Sequence, residues 1–207
     1  MVKHITKNEK EITGSKTMRE SVYKIAVTGL MAALSYVAFA FLGIPFGGAK
    51  FHLGNAATVL AALLLGPVLG GLSGSIGMTI ADLTTGYVTS APKTFILKFC
   101  IGLITGLVAH KIGHISTSEN KAHVAKWTVI SSISGLLFNA IFDPFFGYWY
   151  KRLILQKDAA SLVLKYDIVT SGTNAIISTI AAVVIYLAIR PILKKTGLFI
   201  TVGDKSK

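Results

Sequence analysis

"NAATVLAALLLGPVLGGLSGSIGMTIADLTTG", residues 55–86, decides how the chain is read. As one helix it would run about 48 Å, well beyond the ~30 Å of a bilayer core. Gly66-Pro67 breaks it. Proline in the first turn of a helix suits a tight helix–helix turn. The stretch therefore splits into a short helix over 55–65 and a Gly-rich one over 67–85. Working outward, apolar runs of spanning length occur at 22–42, 92–112, 125–147 and 168–190. The expected fold is an all-α integral membrane protein with six transmembrane helices. A Gly/Pro-rich loop, "GIPFGGAKFHLG", residues 43–54, joins the first two.

Composition supports this. The 207 residues are 52% hydrophobic and 14% charged, against about 25% charged in soluble domains. The net charge of +12 sits in tails and loops, between apolar runs. It reads as topology signal and attraction to lipid headgroups, with no nucleic-acid partner. The single cysteine, Cys100, lies in an apolar run and excludes an internal disulfide or a CxxC motif. No cleavage signal follows the first run, so it reads as a retained span. The chain divides into a cytoplasmic tail 1–21, a membrane domain 22–192 and a cytoplasmic tail 193–207. With six spans, fourteen Lys/Arg fall on the side of the termini and seven on the other. Both termini are thus expected in the cytoplasm. The basic loop 150–166, "YKRLILQKDAASLVLKY", then lies outside, as an amphipathic helix on the surface.

In this topology Lys98 lies about seven residues, roughly 10 Å, below the outer rim. Asn174 and Asn139 lie at a similar depth. Asp143 stands one turn above Asn139 on the same face, and Thr94 shares the face of Lys98. Asp82 is slightly shallower. Polar side chains from four helices thus share one level. An intramembrane charge costs about 2.5–3.5 kcal/mol even on a lenient scale. Three readings are open: Lys98 paired with Asp143 or Asp82 to hold helices together, a polar pocket open to the outside, or Lys98 snorkelling to the interface. Aromatics at the same ends (Phe51, Tyr87, Phe145, Phe146, Tyr148, Trp149, Tyr166) read as an interfacial belt or as stackers for a flat ligand. His52, in the first outer loop, reads as a loop histidine or a ligand group, and the glycines around it suit a lid.

The first helix, "AVTGLMAALSYVAFA", residues 26–40, has small-xxx-small faces at Gly29/Ala33 and Thr28/Ala32. They serve packing within the chain or docking of a partner subunit. There is no P-loop, no H-E-x-x-H, no G-x-S-x-G and no metal-spaced His/Cys cluster. His110 and His114, four apart, are a weak signal at a basic helix end. No nucleophile–base pair supports an enzyme, and no two matching halves suggest a duplicated carrier.

The block "FHLGNAATVLAALLLGPVLGGLSGSIGMTIADLTTGY", residues 51–87, followed by "APKTFILKFCIGLITG", residues 91–106, resembles the substrate-binding S components of energy-coupling factor (ECF) vitamin transporters. The small-residue first helix and Gly-rich loop belong to the same pattern. The resemblance runs over about 22–190, to the riboflavin-type branch that includes hydroxymethylpyrimidine and pyridoxine carriers. It implies a non-enzymatic subunit of a prokaryotic plasma membrane that binds a vitamin outside. It implies docking through helix one, at Thr28, Gly29, Ala32 and Ala33, onto a T component served by two ATPases. No cofactor would be bound by this chain, since ATP belongs to the partners. Lys98, Asn139, Asp143 and Asn174 would contact the ligand, with Thr94 and His52 as further candidates and Asp82 as a structural group. A pyrimidine- or pyridoxine-like ligand is favoured, with riboflavin or another vitamin possible. The competing functions are a stand-alone carrier or channel with a Lys98/Asp143 relay, and a small intramembrane enzyme.

Overall fold

The computed structural model describes residues 2–47, 49–154 and 160–199. Its elements, in order, are α1 (Val2–Ala40), β1 (Ile44–Phe46), β2 (Ala49–Phe51), α2 (Gly54–Leu65), α3 (Pro67–Thr84), α4 (Ala91–Leu107), α5 (Lys121–Trp149) and α6 (Ala160–Lys195). A 3-10 turn, Val88–Ser90, precedes α4, and π-helical turns extend α4 to Ile112 and α5 to Ile154.

The break at Gly66-Pro67 is where residues 55–86 predict it. Gly66 has φ 87°, a left-handed conformation that glycine adopts without a Cβ penalty, and Pro67 opens α3. α2 has twelve residues, about 18 Å, and every one is buried. It stands as a central post with α1, α3, α4 and α6 around it. Leu60, Leu63 and Leu64 meet Ile101, Leu136 and Tyr186 there. α3 can lie close because it presents glycines. A Cβ on Gly77 would fall 2.1 Å from the Ala32 carbonyl oxygen of α1. Gly77→Ala must therefore push α1 and α3 apart. The expected loss is about 1–3 kcal/mol, read as a lowered melting temperature in detergent. Gly29→Ala, where a Cβ meets nothing within 4 Å, is the control.

The bundle is apolar outside and partly polar inside. Ser35, Thr58, Thr105, Thr128 and Ser178 are buried, while Ile176, Ile180 and Val184 of α6 are more than 60% exposed. A water-soluble helix reverses this arrangement. Four helical stretches are long and apolar enough to cross a membrane: Met18–Ala40, Val88–Ile112, Lys121–Leu153 and Val163–Lys195. α2 is too short to cross alone, and Gly70, Gly71, Gly74 and Gly77 dilute the apolarity of α3.

Two connections are more regular than their composition specifies, and one expectation changes. The polar residues before Val22 continue α1 as helix, because nothing in them terminates one. Loop 43–54 is not wholly irregular. It carries an antiparallel hairpin pairing Ile44 with Phe51 and Phe46 with Ala49, with a positive φ at Gly47 in its turn. Loop 150–166 is no separate surface helix. Its first five residues prolong α5 and its last seven begin α6, joined by a Lys151 to Asp167 ion pair at 2.7 Å. Residues 155–159 of it, and 200–207 of the C-terminal tail, lie outside the described residues.

Candidate ligand-binding site

At one end of the bundle the C-terminal ends of α1, α3 and α5 meet the N-terminal ends of α4 and α6, with the hairpin across them. A cavity of about 70 Å³ lies between them. Lys98, Asp143, Asn174, Thr94 and His52 all line it, as does Asp82. Asn139 stands directly behind: Lys98 Nζ donates to Asn139 Oδ1 at 2.9 Å. The six candidates read from depth along four helices are thus brought together.

Their partners differ in part from those expected. Lys98 is only 4% exposed, so it does not snorkel. Its Nζ is 3.6 Å from Asp143 Oδ2, while Asp143 Oδ1 accepts from Lys93. One carboxylate therefore serves two ammonium groups, and the close partner is Lys93, which sequence reasoning missed. Asp82 does not pair with Lys98 but accepts from the Thr94 hydroxyl, tying α3 to α4. Asn174 spends both ends of its amide on the hairpin strand. Its Oδ1 accepts from the His52 N–H, and its Nδ2 donates to the Lys50 carbonyl, each at 3.0 Å. It clasps the strand across the mouth.

His52 lies on Phe39, ring centroids 4.7 Å apart, and its Nδ1 accepts from the Gly54 N–H at 3.2 Å. Burial first, and then the nearby Lys98 ammonium, push the imidazole down to about 3. It is neutral at pH 7, so its ring proton is on Nε2. Tyr87 joins Phe39 edge-on at 6.1 Å and also lines the cavity. Phe51 packs instead against Phe46, as does Tyr166. Phe145, Phe146 and Trp149 are about half exposed, as a belt requires. Lys50, Lys93, Lys151, Asp167 and Phe39 line the cavity without having been singled out. Lys93 follows Pro92 at the start of α4, where a lysine reads as rim charge. Lys50 is brought in only by the hairpin.

A larger groove of about 590 Å³ lies between α4 and α5, lined by Ile96, Cys100, Phe138, Phe142 and Leu153 among others. Among the described residues Lys93 is its one charged lining residue. Such a surface suits lipid chains, not polar recognition. At the other end of the bundle, His110 is buried between the Ser116 hydroxyl and the Ala62 carbonyl. That contact fastens the end of α4 to α2 and gives the histidine a structural role.

Among the small residues of α1, Ala32 is buried and abuts Gly77, and Thr28 is half-buried. Of the four expected docking residues, only Gly29 and Ala33 are exposed. The expected four-residue docking face therefore divides. Ala32 packs inside the chain, because close approach of α3 requires it.

The described residues form a largely helical membrane protein with a charged, aromatic-edged cavity at one end of its bundle. The model of the ECF-type riboflavin transporter S component matches residues 19–191, and the chain belongs to that family. A UPF0397 protein of Leuconostoc citreum (strain KM20) is 29% identical over 187 residues, 86% of this chain and 93% of that protein. A UPF0397 protein of Enterococcus faecalis (strain ATCC 700802 / V583) is 27% identical over 169 residues, 79% and 84%. No solved structure matches.

Proposed function

We propose that the chain captures a small heteroaromatic vitamin or precursor at the outer face of a prokaryotic plasma membrane, as the S component of an ECF-type importer. The favoured ligands are hydroxymethylpyrimidine- and pyridoxine-like. All six helices span or fill the membrane, both termini lie in the cytoplasm, and the cavity opens outside. α1 docks on a T component, and two separate ATPases supply the energy. The observation that carries this reading is the meeting of Lys98, Asp143, Asn174, Thr94 and His52 around one cavity. Lys98, Asn139 and Asp143 form its floor, and His52 and Asn174 its clasp.

The cavity is smaller than the ~300 Å³ at which ligand pockets usually begin. The ligand therefore gains room when the hairpin shifts, and the two Asn174 bonds to residues 50 and 52 are those that must yield. Gly43 and Gly47 flank β1 and supply the hinge.

The test is binding by the purified chain in detergent, with mass spectrometry of any co-purified small molecule and calorimetry against a vitamin panel. Lys98→Ala is expected to weaken the bound vitamin at least about tenfold, about 1.4 kcal/mol. Unchanged affinity removes Lys98 from the site. Liposomes holding this chain alone, free of ATP, are expected not to accumulate the ligand. Accumulation driven by a proton gradient would establish the carrier reading in place of this one.

A further inference from the structure

The cavity holds more positive charge than its own carboxylates neutralise. Among the described residues four lysines line it, Lys50, Lys93, Lys98 and Lys151, against three aspartates, Asp82, Asp143 and Asp167. Lys93 and Lys151 each hold a carboxylate directly. Lys98 shares Asp143 with Lys93: its Nζ donates to the neutral Asn139 amide at 2.9 Å and stands 3.6 Å from Asp143 Oδ2. Lys50 reaches the Ala40 carbonyl at 3.4 Å and lies over the Phe39 ring at 4.7 Å. Neither contact is with a carboxylate, and of the lining aspartates it is Asp82 that acts on its charge.

Hydrogen-bond supply points the same way. An ammonium carries three donors, and Lys98 commits one at good distance. The neutral His52 ring presents a further donor at Nε2. Each of the three carboxylates has one oxygen bonded, to Thr94, Lys93 or Lys151. Set against the four lysines, the three aspartates leave the described lining with one positive charge in excess. A neutral ligand leaves that charge unmatched in a low-dielectric site, which is costly, whereas an anion cancels it.

Resting on the vitamin-binding reading above, we propose that the ligand is an anion: a flat heteroaromatic ring bearing a carboxylate or phosphate. Its oxyanion sits between Lys98 and Lys50, and its ring lies against Phe39, His52 and Tyr87. Acid-bearing members of the pyrimidine and pyridine classes are thus preferred over the neutral alcohols.

The experiment uses the full chain in detergent, titrated with matched pairs differing only in charge. These are nicotinate and nicotinamide, pyridoxine 5′-phosphate and pyridoxine, flavin mononucleotide and riboflavin, and hydroxymethylpyrimidine with and without its phosphate. In the pair that fits, the anionic member is expected to bind at least about thirtyfold tighter. Lys98→Met should collapse that ratio. Lys50→Met should lower it at least about tenfold, and this half-buried position on the hairpin keeps the test open if Lys98→Met does not fold. A neutral member binding as tightly as its anionic partner overturns this proposal and leaves the vitamin-binding function standing. If no member of any pair binds, the vitamin-binding function falls with it. A charge preference that survives both lysine substitutions also overturns the assignment.

Discussion

Asp143→Ala is expected to cost about 3–5 kcal/mol of stability, enough to lose most of the folded protein. Asp143 bonds Lys93 and lies 3.6 Å from Lys98, and its side chain is only 20% exposed. Removing it leaves two ammonium groups in a desolvated layer without the carboxylate they share, Lys98 keeping its bond to the Asn139 oxygen. Breaking a buried pair on one side costs far more than replacing both partners. The double variant Lys93→Met/Asp143→Leu should therefore recover part of the loss, because one ammonium group, Lys98 on Asn139, is left without the carboxylate in place of two. Thermal unfolding in detergent, followed by helical circular dichroism, reads both. An Asp143→Ala protein that melts within a degree or two of wild type would show that water or lipid headgroups solvate the two lysines. The buried-charge account of the cavity would then fail. The double variant also separates stability from recognition, since it recovers stability while removing the aspartate from the cavity wall.

This shared carboxylate marks where sequence reasoning reaches its limit. Counting residues from the rim placed Lys98, Asn139, Asp143 and Asn174 on one level, because helical rise converts sequence position into depth. The same counting says nothing of which way a side chain turns or what it meets. Lys93, which the count does not single out, lies five residues from Lys98, yet both reach Asp143. Asn174 lies at the predicted depth and is committed to the hairpin backbone, which no helical pattern reveals. Lys50 enters the site through a strand pairing too short to register against its glycines. The break at Gly66-Pro67 was legible because both residues have a local conformational reason to be there. The extent of α1 before Val22 was not. Hydropathy marks where lipid lies, whereas a helix continues until its backbone is interrupted.

Gly29→Leu and Ala33→Leu are each expected to abolish uptake by the assembled transporter, at least about a hundredfold, while leaving vitamin affinity within about twofold. The division of the α1 small-residue face makes this a clean separation. Gly29 is exposed, and a side chain there meets nothing within 4 Å of its first carbon. Ala33 is exposed on the same side, and Ile25, Leu30 and Leu34 surround the pair as outward apolar residues. Leucine at either position is therefore expected to project away from the bundle. The cavity lies at the far end of α1, where Phe39 contributes to it, so its geometry is untouched. A partner helix that packs on Gly29 and Ala33 depends on close backbone approach, and leucine holds it off by several ångströms' worth of side chain. Ala32→Leu is the contrasting variant. Ala32 is buried against Gly77 of α3, so enlarging it strains the bundle and lowers both stability and binding. The measurement pairs calorimetric affinity of the purified chain with ATP-driven uptake into proteoliposomes containing the T component and both ATPases. Uptake that survives both outward leucines would show that the T component meets another surface. The open face of α1 would then be a lipid contact only.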